Sequence, residues 1–344
     1  MGNKKPADHL PESFGFRCDE ARGFPSLILV AGASPCNLRC DGCPCTYLPS
    51  IRDTENPAGE KENYFKPEYY RKLTEECLAH STGSFHPRLR ISGYGEPILN
   101  RGLPEMIRYS CEKGVPTSLI TNGLLLTPDL SERFIRMGIE SIEISADAHE
   151  PELYAQMRVG GDFSVLKENV SRLIELRNEL QTPRRTIIIV SVVKGPRNHE
   201  KVPEIKAFWE EMGVDNVSVR KFLTWGLPQL KKMQEKVGDE TYMQGESPCP
   251  YPYERLMLDP AGWIRLCPYD DQKLIPPFGH ISDTTIAEVW TGERFERIRQ
   301  YHGERFNDDL ARGDQALCAD CEDRLNRSWT FNYFAIASRS QEME

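Results

Sequence analysis

The chain has 344 residues, of which 39% are apolar and 28% charged, and its formal net charge is −9. This length suffices for one large α/β domain and a smaller one, and the negative charge argues against a nucleic-acid backbone as the main partner. No apolar run approaches transmembrane length and the polar start shows no signal-peptide pattern, so we expect a cytoplasmic protein without a membrane partner. Eleven cysteines without an export signal are then expected to be metal ligands and buried thiols rather than a disulfide framework.

The first two-thirds of the chain alternate short β-rich runs with amphipathic helical stretches. The patterns predict six strands, over Ser26–Ala33, Arg88–Ser92, Thr117–Thr121, Ser141–Ser145, Thr186–Val193 and Asn216–Arg220. They predict five intervening helices, over Pro67–His80, Leu103–Lys113, Pro128–Met137, Phe163–Leu180 and Glu200–Met212. This alternation predicts an α/β fold with a parallel sheet and right-handed crossovers.

Three cysteines follow the first predicted strand within one loop, at Cys36, Cys40 and Cys43. Three thiolates are one short of the four that normally hold a 4Fe–4S cluster, so a cluster bound here would keep one iron with an open coordination position. An open position is where a metal site does chemistry. Zinc is the alternative because it also takes thiolates, although apart from Cys45 no His or further cysteine stands at zinc-finger spacing.

The C-x3-C-x2-C spacing of these cysteines resembles the signature of the radical S-adenosylmethionine (SAM) enzymes. The resemblance implies that the open iron chelates SAM and that an electron from the cluster cleaves SAM to methionine and a 5′-deoxyadenosyl radical. It also implies a curved partial TIM barrel of six βα units, with the site at the carboxyl ends of the strands. The residue before the third cysteine, usually an aromatic that shields the adenine, is here Gly42. We therefore expect backbone groups or Tyr47 to hold the adenine.

Residues 92–99 follow the second predicted strand and contain two glycines and a glutamate. Glycine allows the backbone to approach a ligand closely, and Glu96 offers a carboxylate to an ammonium group. A simple strand-to-helix turn is the alternative. The segment also resembles the Gly-Gly-Glu motif of radical SAM enzymes, which implies that Gly95 and Glu96 bind the SAM amino group.

Polar residues also follow the third and fourth predicted strands. Asn122 lies in a Thr-Asn-Gly sequence that resembles one found at this place in many family members. Ser145 can donate to the SAM carboxylate or ribose, and Arg158 can pair with that carboxylate bidentately. The alternative for Arg158 is a solvated charge at a helix end.

A second set of cysteines occupies the last third of the chain and consists of Cys249, Cys267, Cys318 and Cys321. The first two flank a predicted β-hairpin, with strands over Arg255–Leu258 and Trp263–Leu266, which brings them near each other. The other two form a C-x2-C pair, so the set supplies four thiolates. A zinc ribbon is the alternative, since it also uses split cysteine pairs.

The second set resembles the SPASM auxiliary-cluster module, whose Cys-x(9–15)-Gly-x4-Cys hallmark is met with Gly262. No cysteine follows Cys321, so the segment resembles the shortened twitch form with a single auxiliary cluster. The resemblance implies two 4Fe–4S clusters, SAM, and a reducing electron donor such as flavodoxin or ferredoxin. We expect residues 1–240 to form the partial (βα)6 TIM barrel, and residues 247–344 to form a small β-hairpin and helix domain that binds the auxiliary cluster.

Three reactions are open to such an enzyme. It can oxidise a small polar substrate such as a sugar or aminocyclitol, passing the last electron to the auxiliary cluster. It can instead modify a peptide or protein, or epimerise its substrate by returning a hydrogen atom from a thiol. Only 35 residues precede Cys36, too few for the peptide-recognition domain that peptide-maturing members often carry, so we favour a small substrate. A non-enzymatic iron–sulfur or zinc protein is the remaining alternative.

An oxidation also needs a base for the proton of the substrate hydroxyl. The candidates are Asp270, with its neighbour Asp271, and Arg220 at the end of the sixth predicted strand. A guanidinium stays protonated, so Arg220 could only orient the hydroxyl. Each of these charges could equally be structural.

Overall fold

A computed structural model describes residues 16, 18–48, 53–224, 227–235, 249, 251–268, 270, 275–303, 318 and 321. Asp271 lies outside these residues, as does most of the stretch between the two expected domains, so the predicted division near residues 240–247 stays a prediction. Among the helices that the structure describes, none has the length and apolarity needed to span a membrane.

The described residues form a nine-stranded sheet in the order β6-β5-β4-β3-β2-β1-β7-β8-β9. Strands β1 to β6 are parallel, and each pairs with the next along the chain. Their bounds are Leu27–Ala31 (β1), Arg88–Ser92 (β2), Thr117–Thr121 (β3), Ser141–Ser145 (β4), Ile187–Lys194 (β5) and Asn216–Lys221 (β6). The predicted parallel α/β order is therefore confirmed, with strand ends within two residues of those predicted.

Helices lie between and after these strands. Their bounds are Pro44–Tyr47 (α1), Pro67–Ala79 (α2), Leu103–Glu112 (α3), Pro128–Arg136 (α4), Pro151–Met157 (α5), Phe163–Glu179 (α6), Val202–Glu211 (α7) and Pro228–Gln234 (α8). The starts of these helices follow from local chemistry. Helices α2, α4 and α5 begin with proline, which has no N–H to leave unsatisfied in the first turn. Asp162 caps α6 by accepting from the Ser164 N–H at 2.8 Å.

The barrel core lies on both faces of the parallel sheet. All five residues of β1 and the first six of β5 are buried. Continuous burial of this kind is typical of parallel strands, because crossover helices cover one face and the barrel interior covers the other. The apolar runs that predicted these strands therefore reflect two buried faces.

The C-terminal hairpin is part of the same sheet. Strand β7 (Arg255–Leu258) pairs in parallel with β1, with Leu27 opposite Arg255. Strands β8 (Trp263–Arg265) and β9 (Gly279–His280) then continue the sheet in antiparallel order. The hairpin that separates Cys249 from Cys267 thus lies directly beside the strand that leads into the first cysteine loop.

Helices α9 (Tyr251–Glu254), α10 (Ile286–Trp290) and α11 (Glu293–Gly303) complete the described part of the C-terminal region. Hydrogen bonds fasten this region to α2 of the barrel. The Ile286 N–H donates to Glu76 Oε2 at 2.7 Å, and Lys72 Nζ donates to the Thr284 carbonyl at 2.9 Å.

Candidate active site

A cavity of about 430 Å³ lies within the barrel, toward the carboxyl ends of the parallel strands. Cys40 and Cys43 of the first cysteine loop form part of its wall. Tyr251 and Pro268 form another part, and they stand two residues and one residue beyond Cys249 and Cys267, respectively. The cavity wall therefore combines the first cysteine loop with residues close to Cys249 and Cys267, which the sequence places more than 200 residues away.

The first cysteine loop is held against the segment that follows α5. The Arg39 N–H donates to the Val159 carbonyl and the Asp41 N–H to the Met157 carbonyl, both at 2.9 Å. Within the loop, the Cys43 N–H donates to the Cys40 carbonyl at 3.2 Å. Cys36, Cys40 and Cys43 are all half-buried. The loop thus presents three accessible thiols from a backbone that other elements hold in place.

Arg158 lies against this loop, because its neighbours Met157 and Val159 both accept hydrogen bonds from the loop backbone. Its Nη1 is 3.5 Å from Cys40 Sγ and its Nη2 is 2.6 Å from Asp147 Oδ2. Burial opposes a charge on Arg158, but Asp147 and Cys40 raise its pKa above the ordinary value. The Nε of Arg158 is buried and has no hydrogen-bond partner among the described residues. The guanidinium of Arg158 is therefore charged and lies beside Cys40, and its Nε–H is a donor that a ligand could accept from.

Burial raises the pKa of the Cys40 thiol, although Arg158 opposes the shift and Cys43 adds to it. The main cause is that burial removes water from the thiolate, and a second thiolate at Cys43 would repel it. A bound metal cluster would supply the missing positive charge, because metal ligation deprotonates a thiol outright.

Glu96 is buried, with 2% of its surface exposed, and its carboxylate faces β3. Oε1 accepts from Thr121 Oγ1 at 2.7 Å and from the Ile98 N–H at 3.1 Å, and Oε2 accepts from the Asn122 N–H at 2.8 Å. Burial raises the pKa of Glu96, and the hydrogen bonds from Asn122, Thr121 and Ile98 oppose that shift. The carboxylate therefore ties the turn after β2 to the end of β3.

Gly95 packs directly against the start of the first cysteine loop. A Cβ at this position would lie 2.1 Å from the Pro35 carbonyl oxygen, so only glycine fits. The Glu96 N–H donates to the same carbonyl at 2.9 Å. The glycine motif thus lies beside the cysteine loop, and its binding of the SAM amino group stays a prediction.

Asn122 and Ser145 occupy the ends of β3 and β4. Asn122 Nδ2 donates to Asn37 Oδ1 of the first cysteine loop at 2.8 Å. The Ser145 hydroxyl lies 3.4 Å from that of Ser191 on β5. Of the five residues predicted to bind SAM, Gly95, Asn122 and Arg158 therefore contact the cysteine loop through side chain or close packing.

Phe222, which follows β6, was not predicted as a site residue. It lines the cavity, and its ring packs against Gly42 and Gly195. Tyr47, by contrast, donates its hydroxyl to the Asp41 carbonyl at 2.8 Å. The glycine at residue 42 indicates that another group fills the space of a side chain there. Nothing in the sequence identifies that group as Phe222.

Two cysteines of the second set flank the hairpin. Cys249 precedes it, and Cys267 follows the end of β8 by two residues. Burial opposes a charge on Arg255, but Tyr251, Glu254 and Cys249 raise its pKa. Arg255 also lines the cavity, so it lies between this set and the cavity.

Around the last cysteine pair, the structure describes only Cys318 and Cys321 themselves. The Cys321 N–H lies 3.5 Å from the Cys318 carbonyl. Four thiolates on one tetrahedral zinc ion would lie about 3.8 Å from one another. Among the described side chains, no three His, Cys, Asp or Glu residues are grouped to hold a single metal ion.

The two candidates for handling a proton occupy different places. Arg220 lines the cavity and forms an ion pair with Glu143. Asp270 is 1% exposed, its Oδ1 accepts from the Ile275 N–H at 3.2 Å, and it is not among the described residues of the cavity wall. The structure therefore brings Arg220, but not Asp270, to the cavity surface.

Comparison with known proteins identifies two family models in the chain. The radical SAM superfamily model matches residues 34–206, and the model of the SPASM iron–sulfur cluster-binding domain matches residues 249–322. Both models imply bound cofactors: SAM and a 4Fe–4S cluster for the first, and auxiliary iron–sulfur clusters for the second.

Among curated proteins, the chain is 22% identical to the tungsten-containing aldehyde ferredoxin oxidoreductase cofactor-modifying protein of Pyrococcus furiosus, over 77% of this chain and 81% of that protein. Further curated relatives are matched over only 30–55% of their own length.

Two solved structures share the fold. Streptococcus suis SuiB bound to its precursor peptide SuiA has a TM-score of 0.61 at 14% identity, covering 82% of this chain and 67% of that one. Native anSMEcpe with bound AdoMet has a TM-score of 0.57 at 16% identity, covering 91% and 95%. The partial TIM barrel expected from the sequence is thereby confirmed.

Proposed function

The chain belongs to the radical SAM superfamily and carries a SPASM iron–sulfur cluster-binding domain, and from this premise we propose that it oxidises a small polar substrate. The observation that carries this proposal is the cavity of about 430 Å³ whose wall combines the first cysteine loop with residues close to Cys249 and Cys267. Its volume is at the lower end of the range for small-molecule sites. The Pyrococcus relative, matched over most of its length, is named for modifying a cofactor, which supports a small molecule as the substrate.

We assign the cluster that activates SAM to Cys36, Cys40 and Cys43. Three half-buried thiols in one fixed loop fit a cluster with one open iron, and the adjoining guanidinium of Arg158 compensates their charge. The buried Nε of Arg158 is a donor suited to a carboxylate. The bound cofactors together supply a radical that removes a hydrogen atom from the substrate and an acceptor for the electron left after proton loss.

Cys249, Cys267, Cys318 and Cys321 are assigned to the auxiliary cluster, with a donor such as flavodoxin or ferredoxin as the source of reducing electrons. Arg220 holds and orients the polar group of the substrate, because it reaches the cavity surface. Asp270 stays the candidate base, although its burial and its bond to Ile275 give it less support than Arg220.

Peptide or protein modification is the second candidate, because one structure with this fold is the peptide-bound SuiB. Epimerisation has less support. The cysteines on the described cavity wall are Cys40 and Cys43, both assigned to a cluster, whereas Cys45 is only 4% exposed. A hydrogen-donating thiol is therefore not evident in the described wall.

The test uses anaerobically reconstituted full-length protein with SAM and a chemical reductant. Pools of sugars, aminocyclitols and cofactors are compared with peptide pools in deuterated water. Formation of 5′-deoxyadenosine with a small product two hydrogens lighter is the expected result. A crosslinked peptide would establish the second candidate, and a product of unchanged composition in which one hydrogen is replaced by solvent deuterium would establish epimerisation. A protein with both clusters that cleaves no SAM would refute the enzymatic function.

A further inference from the structure

We infer that the substrate carries an anionic group, a carboxylate or a phosphate, which binds at Arg220 on the cavity wall. The inference rests on the proposed function and extends it to a class of substrate. Its basis is the charge of the cavity wall, which contains six cationic side chains and two acidic ones. The cations are Arg90, Arg158, Arg197, Arg220, Lys221 and Arg255, and the acids are Asp41 and Asp147.

The two acids of the wall are engaged by cations at the cysteine loop. Asp147 pairs with Arg158, and Asp41 pairs with the Nε of Arg197. These pairs lie close to Cys40, which Arg158 also contacts. Arg255 likewise pairs with Glu254, at 2.6 Å. The side of the wall that the parallel strands form contributes Arg90 and Arg220.

On that side a single carboxylate is shared by two guanidiniums. Glu143 on β4 accepts from Arg90 on β2 through one oxygen and from Arg220 on β6 through the other. Burial would raise the pKa of Glu143, but the two arginines lower it below the ordinary value. The carboxylate is therefore charged, and this group of three has an excess of one positive charge.

Burial determines which of the two arginines can meet a ligand. The side chains of Arg90 and Glu143 are 5% and 3% exposed, respectively, whereas that of Arg220 is 34% exposed. A guanidinium has five N–H donors in a rigid fork, more than one carboxylate oxygen can accept. Glu143 thus fixes the orientation of Arg220 while the guanidinium faces the cavity, which suits planar recognition of a carboxylate or phosphate.

The expected cofactors carry charges of both signs, since SAM adds a cation whereas iron–sulfur clusters held by thiolates are negative. Both are assigned to the cysteine sets, not to the strands that carry Arg90 and Arg220. A guanidinium held at the cavity surface by a carboxylate that a second arginine shares favours a negatively charged group on the substrate. If the three residues only joined β2, β4 and β6, replacing Arg220 would change the stability of the protein but not its binding of anions.

The test measures binding of inorganic phosphate and of acetate, separately, to the reconstituted full-length protein containing SAM, by isothermal titration calorimetry at low and high salt. We expect at least one anion to bind, more weakly at high salt. Arg220→Gln should weaken that binding by about tenfold or more. Arg220→Lys keeps the charge without the fork, so it should retain phosphate binding better than acetate binding. The matched control is Arg108→Gln, which changes an exposed arginine on α3.

A phosphate-selective or an acetate-selective response identifies which anion the substrate carries. Equal binding by wild type, Arg220→Gln and Arg108→Gln would mean an adventitious ion only and would overturn the inference, as would no binding of either anion. Iron content and substrate-independent formation of 5′-deoxyadenosine are measured on every variant. If these persist while Arg220-dependent binding is absent, the inference fails and the radical SAM function stands. If anion binding depends on Arg220 but no substrate is oxidised, the proposed oxidation fails instead.

Discussion

The ring of Phe222 occupies the space that a side chain at Gly42 would need. A Cβ at residue 42 would lie 2.9 Å from Phe222 Cε2, and one at Gly195 would lie 3.3 Å from Phe222 Cδ2. Phe222 follows β6, the edge strand, whereas Gly42 belongs to the loop after β1. The contact therefore joins the first and the last of the parallel strands and places an aromatic ring beside the cysteine loop, at the point where the motif itself has glycine.

We predict that Phe222→Ala weakens SAM binding by about tenfold, because a buried aromatic that covers a ligand contributes on the order of 1–2 kcal/mol. Affinity is measured by equilibrium dialysis on reconstituted protein, with iron content as the check on the cluster. Gly42→Phe alone should also weaken binding, since the two rings collide, and the double variant should recover it. Phe208→Ala on α7 is the control. A double variant no better than either single one would contradict this role.

Reconstituted protein should bind about eight irons, as two 4Fe–4S clusters. Cys43→Ala should reduce this to about four and abolish formation of 5′-deoxyadenosine, because only the open-iron cluster handles SAM. Cys45→Ala, two residues away and buried, should leave both measurements unchanged. Four irons and one zinc in the wild type would instead assign the second set to zinc.

The auxiliary cluster can be tested through Cys321→Ala. If this cluster accepts the substrate electron, SAM cleavage should persist while oxidised product falls sharply. Deuterium from labelled substrate should still reach 5′-deoxyadenosine, because hydrogen abstraction precedes the electron transfer. Cys111→Ala, on α3, is the matched thiol control. Normal product from Cys321→Ala, in protein lacking the second cluster, would show that the cluster is not the electron acceptor.

Glu96→Gln should destabilise the cofactor-free protein by about 1–3 kcal/mol, because an amide nitrogen replaces one oxygen that accepts buried hydrogen bonds. Chemical unfolding followed by circular dichroism measures this. We also expect weaker SAM binding with unchanged iron content, since Glu96 holds Asn122 beside the cysteine loop. Glu105→Gln, on the exposed face of α3, should change neither property.

The ion cluster at Glu143 should make stability depend on pH. Because arginines 90 and 220 hold the folded-state pKa of Glu143 below its ordinary value of 4.5, the cluster stabilises the fold above about pH 4.5. That stabilisation is lost as the pH falls through the folded-state pKa. The difference in unfolding free energy between wild type and Glu143→Gln should therefore be largest near neutral pH and shrink in acid. A difference that does not vary with pH would contradict the ionised state of Glu143.

Short-range pattern determined much of this fold. The alternation of apolar runs and helical spacing predicted six parallel strands within two residues of their ends, because local periodicity depends on which faces are buried. Cysteine spacing likewise indicated the family, since three thiols in one short loop can reach the same cluster. The assignment of particular cysteines and of the SAM-binding residues stays a prediction.

Long-range packing decided the rest, because it joins residues that no local pattern relates. The sequence predicted the hairpin at Arg255–Leu258, but only tertiary pairing added it to the barrel sheet beside β1. Burial directs the Glu96 carboxylate to donors at the end of β3, and its role toward the SAM ammonium group stays a prediction. The ring of Phe222 reaches Gly42, and Arg90 shares Glu143 with Arg220, only because the sheet curves and brings strands distant in sequence around one cavity.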